Sequence, residues 1–365
     1  MRVLTVNAGS SSVKLDLLDD QNTVEHHAEL PAGTDGFDPA SLGQLLTTWV
    51  RPDVIGHRIV HGGEIFSGPI RIDAAVRAQL ERLTDLAPLH QPKSLAALDA
   101  VVSQLADVPA VASFDTAFHG TIPLAAATYP VPREWRERYG IRRYGFHGLA
   151  HAYTSRRAAE LAGRSTPGLR VITCHLGAGC SLAAVLSGRS VDTTMGFTPL
   201  EGLVMATRSG TVDPGLVLWL EEHEHLTPRE VATALEERSG LLALAGTGDM
   251  REVEAAIAGG DADAALALDV YLHRLVAGIA AMAASLGGVD VLVFSGGVGE
   301  HSVAVRQRTA DRLSFLGVAV DPDRNRAAGP DHSIAVEGGL VGTFVIAARE
   351  DLQIAEEARA TLALG

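Results

Sequence analysis

Two stretches of this chain are built to one pattern, and that duplication limits the fold more than any other feature. Residues Val3 to Leu18 and Val171 to Leu186 superimpose at a constant offset of 168 residues without a gap. Each reads as an apolar strand, a turn of small residues with a matched glycine (Gly9, Gly177) and a second apolar strand. A turn without bulky side chains lets backbone N–H groups approach an anion closely. Two ordinary β-hairpins would show the same composition. Two in register, at corresponding places in the two halves, point instead to a duplicated architecture. We expect them to face each other across a cleft and to hold a chain of phosphates between them.

The length of 365 residues leaves room for two domains. A net charge of −14 with no basic cluster argues against nucleic acid or an anionic membrane surface as the main partner. An anionic small ligand therefore needs a local positive site. Lys14 and Lys93 are the only lysines, and Lys14 falls in the first hairpin. Cys174 and Cys180 span one hairpin turn; they match neither a metal-ligand pattern nor a disulfide framework, and suit a reducing compartment. The amino terminus opens directly on a strand, with no visible signal peptide. The longest charge-free run, Leu275 to Val289, is Ala/Gly-rich, short for a membrane span, and reads as a buried helix. A cytoplasmic enzyme or binding protein is expected.

Along the chain, residues 19–50 read as a connection followed by a helix near 42–50. Val54 to Gly63 is a buried-type strand running into a glycine pair. Arg58 at its middle needs a carboxylate, phosphate or ligand as partner, so a structural salt bridge and a bound anion fit equally. Helices over 74–86 and 94–105 lead to a strand over 108–114 that ends at Asp115. Ligands of open α/β sheets sit beyond the carboxyl ends of strands, which makes Asp115 a candidate, with an Asx-turn as its alternative. Arg142 to Gly148 gathers two cations, two aromatics and His147, and a domain boundary is expected near 149. Asp192 to Gly202 and Arg208 to Gly215 form a long turn-rich stretch of the kind that is usually functional. Helices over 215–223, 227–239, 250–258 and 262–286 precede a strand over 289–294 and the Gly-rich loop Ser295 to Glu300, an arrangement that suits a nucleotide. There is no P-loop motif. A strand over 342–348 and a terminal helix close the chain.

These segments together resemble the acetokinase family, within the superfamily of actin, the sugar kinases and the large heat-shock ATPases. The resemblance is carried by Asn7 to Lys14, His57-Arg58-Ile59-Val60-His61-Gly62-Gly63, Phe114 to His119, Tyr144-Gly145-Phe146-His147-Gly148, His175-Leu176-Gly177, Arg208 to Gly215 and Gly296 to Glu300. It implies an α/β fold of two duplicated actin-like (ribonuclease H-like) domains with a cleft between them: an N-terminal domain over 1–149 completed by the C-terminal helix 350–365, and a nucleotide-binding domain over 150–349. It implies the reaction ATP + acetate ⇌ ADP + acetyl phosphate with Mg²⁺ or Mn²⁺, and a homodimer.

By the same resemblance, Asn7 and Glu350 sit at the metal and Lys14 contacts ATP phosphate. His175, Leu176, Gly177, Ala178 and Gly179 line the nucleotide, as do Gly297, Val298, Gly299, Glu300 and His301, with Asp249, Met250 and Arg251 near its adenosine. Arg58, Asp115, His147 and Arg208 fall on catalytic positions; Val60, Leu89, Phe146 and Pro199 fall on the pocket for the acetate methyl. A carboxylate is already ionised at neutral pH, so it needs positioning and charge neutralisation rather than a general base. Arg58 is expected to hold the acid, Arg208 and His147 the phosphoryl group in flight, and Asp115 to orient an arginine or the hydrated metal. The chain departs from the family pattern at Ala178 and His301, where Asn is usual, at Leu149-Ala150, at Arg349, and in a shorter segment between Lys14 and Arg58. Rival readings are a propionate or butyrate kinase with the same catalytic set, and a nucleotide-binding paralogue that has lost catalysis.

Overall fold

Side-chain alternation along the first strand decides where the first sheet buries its core and where it presents polar groups. The computed structural model describes residues 1–9, 12–31, 39–87, 91–327 and 329–363. In it β1 (Val3–Ala8) pairs antiparallel with β2 (Ser12–Leu18), with Leu4 opposite Leu17 and Val6 opposite Leu15. Successive residues of a strand point to opposite faces. Leu4, Val6, Leu15 and Leu17 therefore share one face, and they join Ile55, Ala97 and Val101 in a buried cluster under the helix Gln91–Gln104. Burying each such side chain contributes about 1.5–3 kcal/mol. Thr5, Asn7, Lys14 and Asp16 take the opposite face.

Four further strands complete this sheet: β3 (Val24–Pro31), β4 (Val54–Ile59), β5 (Ile70–Arg71) and β6 (Ala110–Phe114), in the order β3-β2-β1-β4-β6-β5. The C-terminal helix Glu350–Ala363 covers its second face, where Ala355 and Ala358 pack with Val3, Val54 and Val111. The fit is close because β4 carries Gly56 there: a Cβ at that position would overlap the Ile354 side chain.

A second sheet is built from β7 (Arg170–Leu176), β8 (Cys180–Leu186), β9 (Arg189–Thr193), β10 (Val291–Ser295), β11 (His332–Ser333) and β12 (Gly342–Val345). Read from its β9 edge the order is β9-β8-β7-β10-β12-β11, which matches the first sheet strand for strand. Parallel and antiparallel pairings match as well. The helix Ala262–Leu286 backs this sheet, and Gly278 leaves room for Leu182. That helix is long and apolar enough to cross a membrane by composition alone. Here Leu268, Tyr271, Leu272, Leu275 and Ile279 are buried on it. One unit comprises Met1–Gly120, Phe146–Tyr153 and Arg349–Gly365; the other comprises Thr121–Gly145 and Thr154–Ala348.

The structure departs from the sequence reading in several places. The gapless superposition of the hairpins fails by one residue. Val3 faces Leu18, but Val171 faces Val185. Gly9 N–H donates to the carbonyl of Ser12, three residues on, at 2.8 Å, while Gly177 N–H donates to that of Gly179, two residues on, at 3.0 Å. β3 lies inside the segment read as a connection; its mostly exposed, polar side chains hide a strand held by backbone pairing. The Gly-rich loop is a short helix, Gly296–His301, entered through Gly296 at φ 74°. The two compact units interleave along the chain, with 121–145 grouped in the second.

Four histidines of the first unit are buried, and for three of them, His57, His61 and His119, burial moves the pKa. Burial lowers His57 from 6.5 to about 3 and His61 to about 4. Burial likewise lowers His119 to about 4, against the pull of its hydrogen bond to the Phe146 carbonyl. Below pH 6.5 the unfolded chain binds these protons and the folded chain does not. Their contribution is therefore intact above about pH 6.5 and is lost as pH falls towards the folded values. For His57 the loss between pH 6.5 and 5 is about 2 kcal/mol. Thermal midpoints should fall across that range, and His57→Asn should flatten the dependence; a flat wild-type profile would contradict the burial argument.

Candidate active site

Arg58 is brought to the polar face of the first sheet by strand alternation. β4 runs parallel to β1 with Thr5 level with Gly56 and Val6 with His57, so the next pair on this face is Asn7 and Arg58. Asp115 follows β6, and its N–H donates to the Ile59 carbonyl at 3.1 Å. The Arg58 Nε and Nη2 donate to the two oxygens of Asp115 at 2.9 and 2.6 Å, a planar fork on a carboxylate. Nη1 donates to the Asn7 Oδ1 at 2.9 Å and lies 3.8 Å from Glu350. The Asn7 Nδ2 in turn donates to Glu350 at 2.7 Å.

Side-chain exposure is 1% for Asp115 and 15% for Arg58, so the pair works in a dry setting. Burial by itself would lower the Arg58 pKa, but Asp115 and Glu350 reverse the sign and hold it firmly protonated. Burial pushes the Asp115 carboxyl up, and the Arg58 fork opposes that push. Of the two partners expected for Asp115, an arginine or the hydrated metal, the arginine is in contact with it.

His147 adopts φ 57°, a left-handed conformation unusual outside glycine. Its main-chain N–H binds the Asp115 carboxylate. The next N–H, of Gly148, donates to the Asp115 carbonyl at 2.8 Å. A Cβ at Gly148 would overlap that carbonyl, so the turn after Phe146 is fixed by close approach to Asp115. Val60 and Phe146 are both buried in this unit, with Phe146 edge-on to His61 at 5.5 Å. Leu89 lies outside the described residues, as do Ser10 and Ser11 of the first turn. Lys14 is exposed on β2, level with Asn7.

In the second unit, the turn Gly177–Gly179 leads from His175 and Leu176 on β7 into β8. Ala178 is exposed, and its carbonyl accepts from Ala206 at 3.0 Å. Gly296 is pressed against the main chain of Leu176, where a Cβ would come within 2.7 Å of the carbonyl oxygen. This joins the turn after β7 to the helix that carries Gly297, Val298, Gly299, Glu300 and His301. The Glu300 Oε1 accepts from Gly296 N–H at 3.0 Å and Ala348 N–H at 3.1 Å, so it braces the segment from inside. Asp249 caps the helix Met250–Ala258 and pairs with Arg251 at 2.5 Å; this pairing brings its carboxyl down to about 2.

Arg208 differs from Arg58. Its Nη1 donates to the Pro199 carbonyl at 3.1 Å and lies 3.8 Å from the Met205 Sδ. Burial lowers its pKa, and Glu236 only partly offsets this. Among the described residues no carboxylate forms an ion pair with it. A half-buried guanidinium whose other donors lack a protein acceptor is suited to an exogenous anion.

The Asn7 amide oxygen and the Glu350 carboxylate are hard oxygen donors, and no group of three or more His, Cys, Asp and Glu that could hold a metal occurs among the described residues. This set suits an ion that takes one or two protein oxygens and completes its shell with water and phosphate. Sequence reasoning missed Asn7 as a partner of Arg58. The alternation along β1 and β4 that sets them level on one face was the available signal.

A duplicated strand order with a small-residue turn in each half, an arginine–carboxylate pair in one unit and an anion-seeking arginine in the other defines a phosphotransferase of the duplicated actin-like type. The solved structures agree. An acetate kinase from Porphyromonas gingivalis matches with a TM-score of 0.91 at 34% identity, covering 99% of both chains. A propionate kinase from Francisella tularensis matches at 0.90 and 34%, covering 98% of this chain and 99% of that one. Among curated relatives, the acetate kinase of Nostoc punctiforme is 50% identical over 83% of this chain and 75% of its own length. That of Gloeobacter violaceus is 44% identical over 98% of each. The family model described as the acetokinase family matches residues 46–356, and the chain belongs to that family. Membership makes it a kinase with ATP as substrate and implies a divalent metal.

Removing Asp115 should strand a buried cation. Asp115→Ala is expected to lower unfolding free energy by about 3–5 kcal/mol, whereas replacing the pair by apolar residues of similar size should cost less. Urea denaturation of the two variants would show the difference.

Proposed function

We infer that the chain catalyses reversible transfer of the ATP γ-phosphoryl group to acetate, giving acetyl phosphate and ADP by direct in-line displacement. The observation that carries this reading is Arg208: partly desolvated, with no ion-paired carboxylate among the described residues, and tethered through one nitrogen to the Pro199 carbonyl. Its remaining donors suit a flat phosphoryl group whose negative charge is spread over three oxygens. Charge and position are what this transfer needs, since the nucleophile is already an anion.

Arg58 keeps one N–H on each Nη after serving Asp115 and Asn7, enough to orient the acid's carboxylate. Asp115 keeps that fork fixed, and through the His147 main chain it fixes where the imidazole starts. By their places in the family motifs, Val60, Phe146 and Pro199 serve the acyl chain. Glu350 and Asn7 would hold Mg²⁺ or Mn²⁺, which neutralises phosphate charge when bound. Lys14, the Gly177–Gly179 turn and the segment Gly297–His301 serve the nucleotide, with Asp249 to Arg251 towards its adenosine; Glu300 braces rather than binds.

Relatives up to 50% identical are acetate kinases, which favours acetate over a longer acid. The similarity to a propionate kinase makes acid length the point to measure. We also propose a homodimer. The helix Pro214–His223 buries none of its residues and exposes Leu216, Leu218 and Trp219, an apolar strip suited to a second copy. Two buried free thiols fit the cytoplasm.

Trapping acyl phosphate with hydroxylamine, in the presence of ATP, Mg²⁺ and each acid in turn, tests the reaction; acetate should give the highest specificity constant. Arg208→Ala should lose about 10³–10⁵ in turnover with the fold intact. Retention of more than about a tenth would remove Arg208 from its role. In light scattering, Leu218→Glu with Trp219→Glu should yield a monomer; an unchanged mass would remove that helix from the interface.

A further inference from the structure

The loop that carries Pro199 is closed upon itself by three side chains that the reaction itself does not require. The Arg143 Nη1 donates to three successive carbonyls, Thr193 at 3.2 Å, Thr194 at 3.0 Å and Met195 at 3.0 Å. Its Nη2 donates to the Glu201 Oε1 at 2.6 Å. One guanidinium thus ties the start of the loop to its end. The other Glu201 oxygen takes the hydroxyl proton of Tyr129 in a hydrogen bond. That hydroxyl accepts from the Phe197 N–H at 3.0 Å, and the Arg143 guanidinium lies 5.5 Å from the Tyr129 ring centre.

Gly196 fills the centre of the clasp. A Cβ there would overlap both the Glu201 carboxylate and the Tyr129 hydroxyl. Its carbonyl accepts from Tyr144 and Gly145, at 3.0 and 3.2 Å, on the strand of chain that continues to Phe146 and His147. The exposures of Arg143 and Glu201, 17% and 31%, leave the pair only partly solvated, and burial together with Glu201 pushes the Tyr129 hydroxyl up. Between the two fastened ends stands Pro199, whose carbonyl holds Arg208.

We propose that Arg143, Glu201 and Tyr129 are positioning residues: their clasp sets the height of the Pro199 loop, and with it both the aim of Arg208 and the acyl-chain length the enzyme accepts. The proposal rests on the acid-kinase reading above. Slackening the clasp lets Pro199 drift. The Arg208 guanidinium then loses its tether, and the wall against which the acyl chain is measured retreats. The nucleotide segments Gly177–Gly179 and Gly297–His301 are not held by the clasp, so binding of ATP should be spared.

The test compares Tyr129→Phe, Glu201→Gln and Arg208→Ala in the full chain, with thermal midpoints as a check on folding. A misplacement of about 1 Å can cost about 10²-fold. Glu201→Gln is therefore expected to lower kcat/KM for acetate by about 10²-fold. Tyr129→Phe removes only one hydroxyl and should lower it by about 5–10-fold, the worth of one hydrogen bond. In both, KM for ATP should stay near wild type, and the ratio of specificity constants for acetate over propionate should fall. Tyr129→Phe decides the matter if Glu201→Gln does not fold. The proposal is overturned if the folded variants keep the wild-type acid ratio, or if their loss falls equally on ATP. Should Arg208→Ala remain active, the underlying reading fails. If Arg208→Ala is dead while the clasp variants behave as wild type, only the clasp role fails.

Discussion

A guanidinium placed in the middle of a buried strand has to be matched, and the match between Arg58 and Asp115 organises the first unit. The cost of desolvating either group alone is several kcal/mol. The fork is therefore an obligation before it is a device. It brings β4 and the end of β6 into fixed relation and leaves Asn7 as the natural third partner. The turn through His147 and Gly148 is then drawn against Asp115 by two main-chain N–H groups. Asn7 and Glu350, the oxygen donors suited to a metal, hang from the same arrangement. A stabilising pair and a chemical constellation are here one object.

The two arginines differ in what surrounds them. Arg58 is nearly saturated by protein acceptors, with a small remainder of donors. Among the described residues Arg208 has a single carbonyl and a sulfur, and the rest of its fork has no protein acceptor. A group that must take hold of transient charge has to be under-coordinated at rest, because donors already engaged cannot strengthen in the transition state. Neither Ala178 nor His301 is among the hydrogen-bond partners of Arg58 or Arg208.

Much of this was legible in the sequence. The duplicated hairpins foretold the matched strand order, and the helices Met250–Ala258 and Ala262–Leu286 stand where they were expected. What stayed hidden has physical causes. β3 and β9 are held by backbone pairing and show little side-chain pattern. The one-residue difference between the hairpin turns depends on which N–H reaches which carbonyl, and composition does not report that. The Gly296–His301 turn reads as a loop because glycines oppose helix, yet Gly296 is needed for close packing on Leu176. Arg143 looked like one basic residue in a motif; its hold on residues 193–201 is visible only in three dimensions.

The covering of the first sheet by Glu350–Ala363 has a consequence for how the chain is made. The amino-terminal unit leaves the ribosome early, but one face of its sheet, with Gly56 prepared for Ile354, stays bare until the last helix emerges. At a synthesis rate of about 5–20 residues per second, that delay lasts on the order of ten seconds or more. During it the face that carries Val3, Val54 and Val111 stands open while the second unit, whose own helices lie within its stretch of chain, can already close. The half that is translated first is thus the half that matures last.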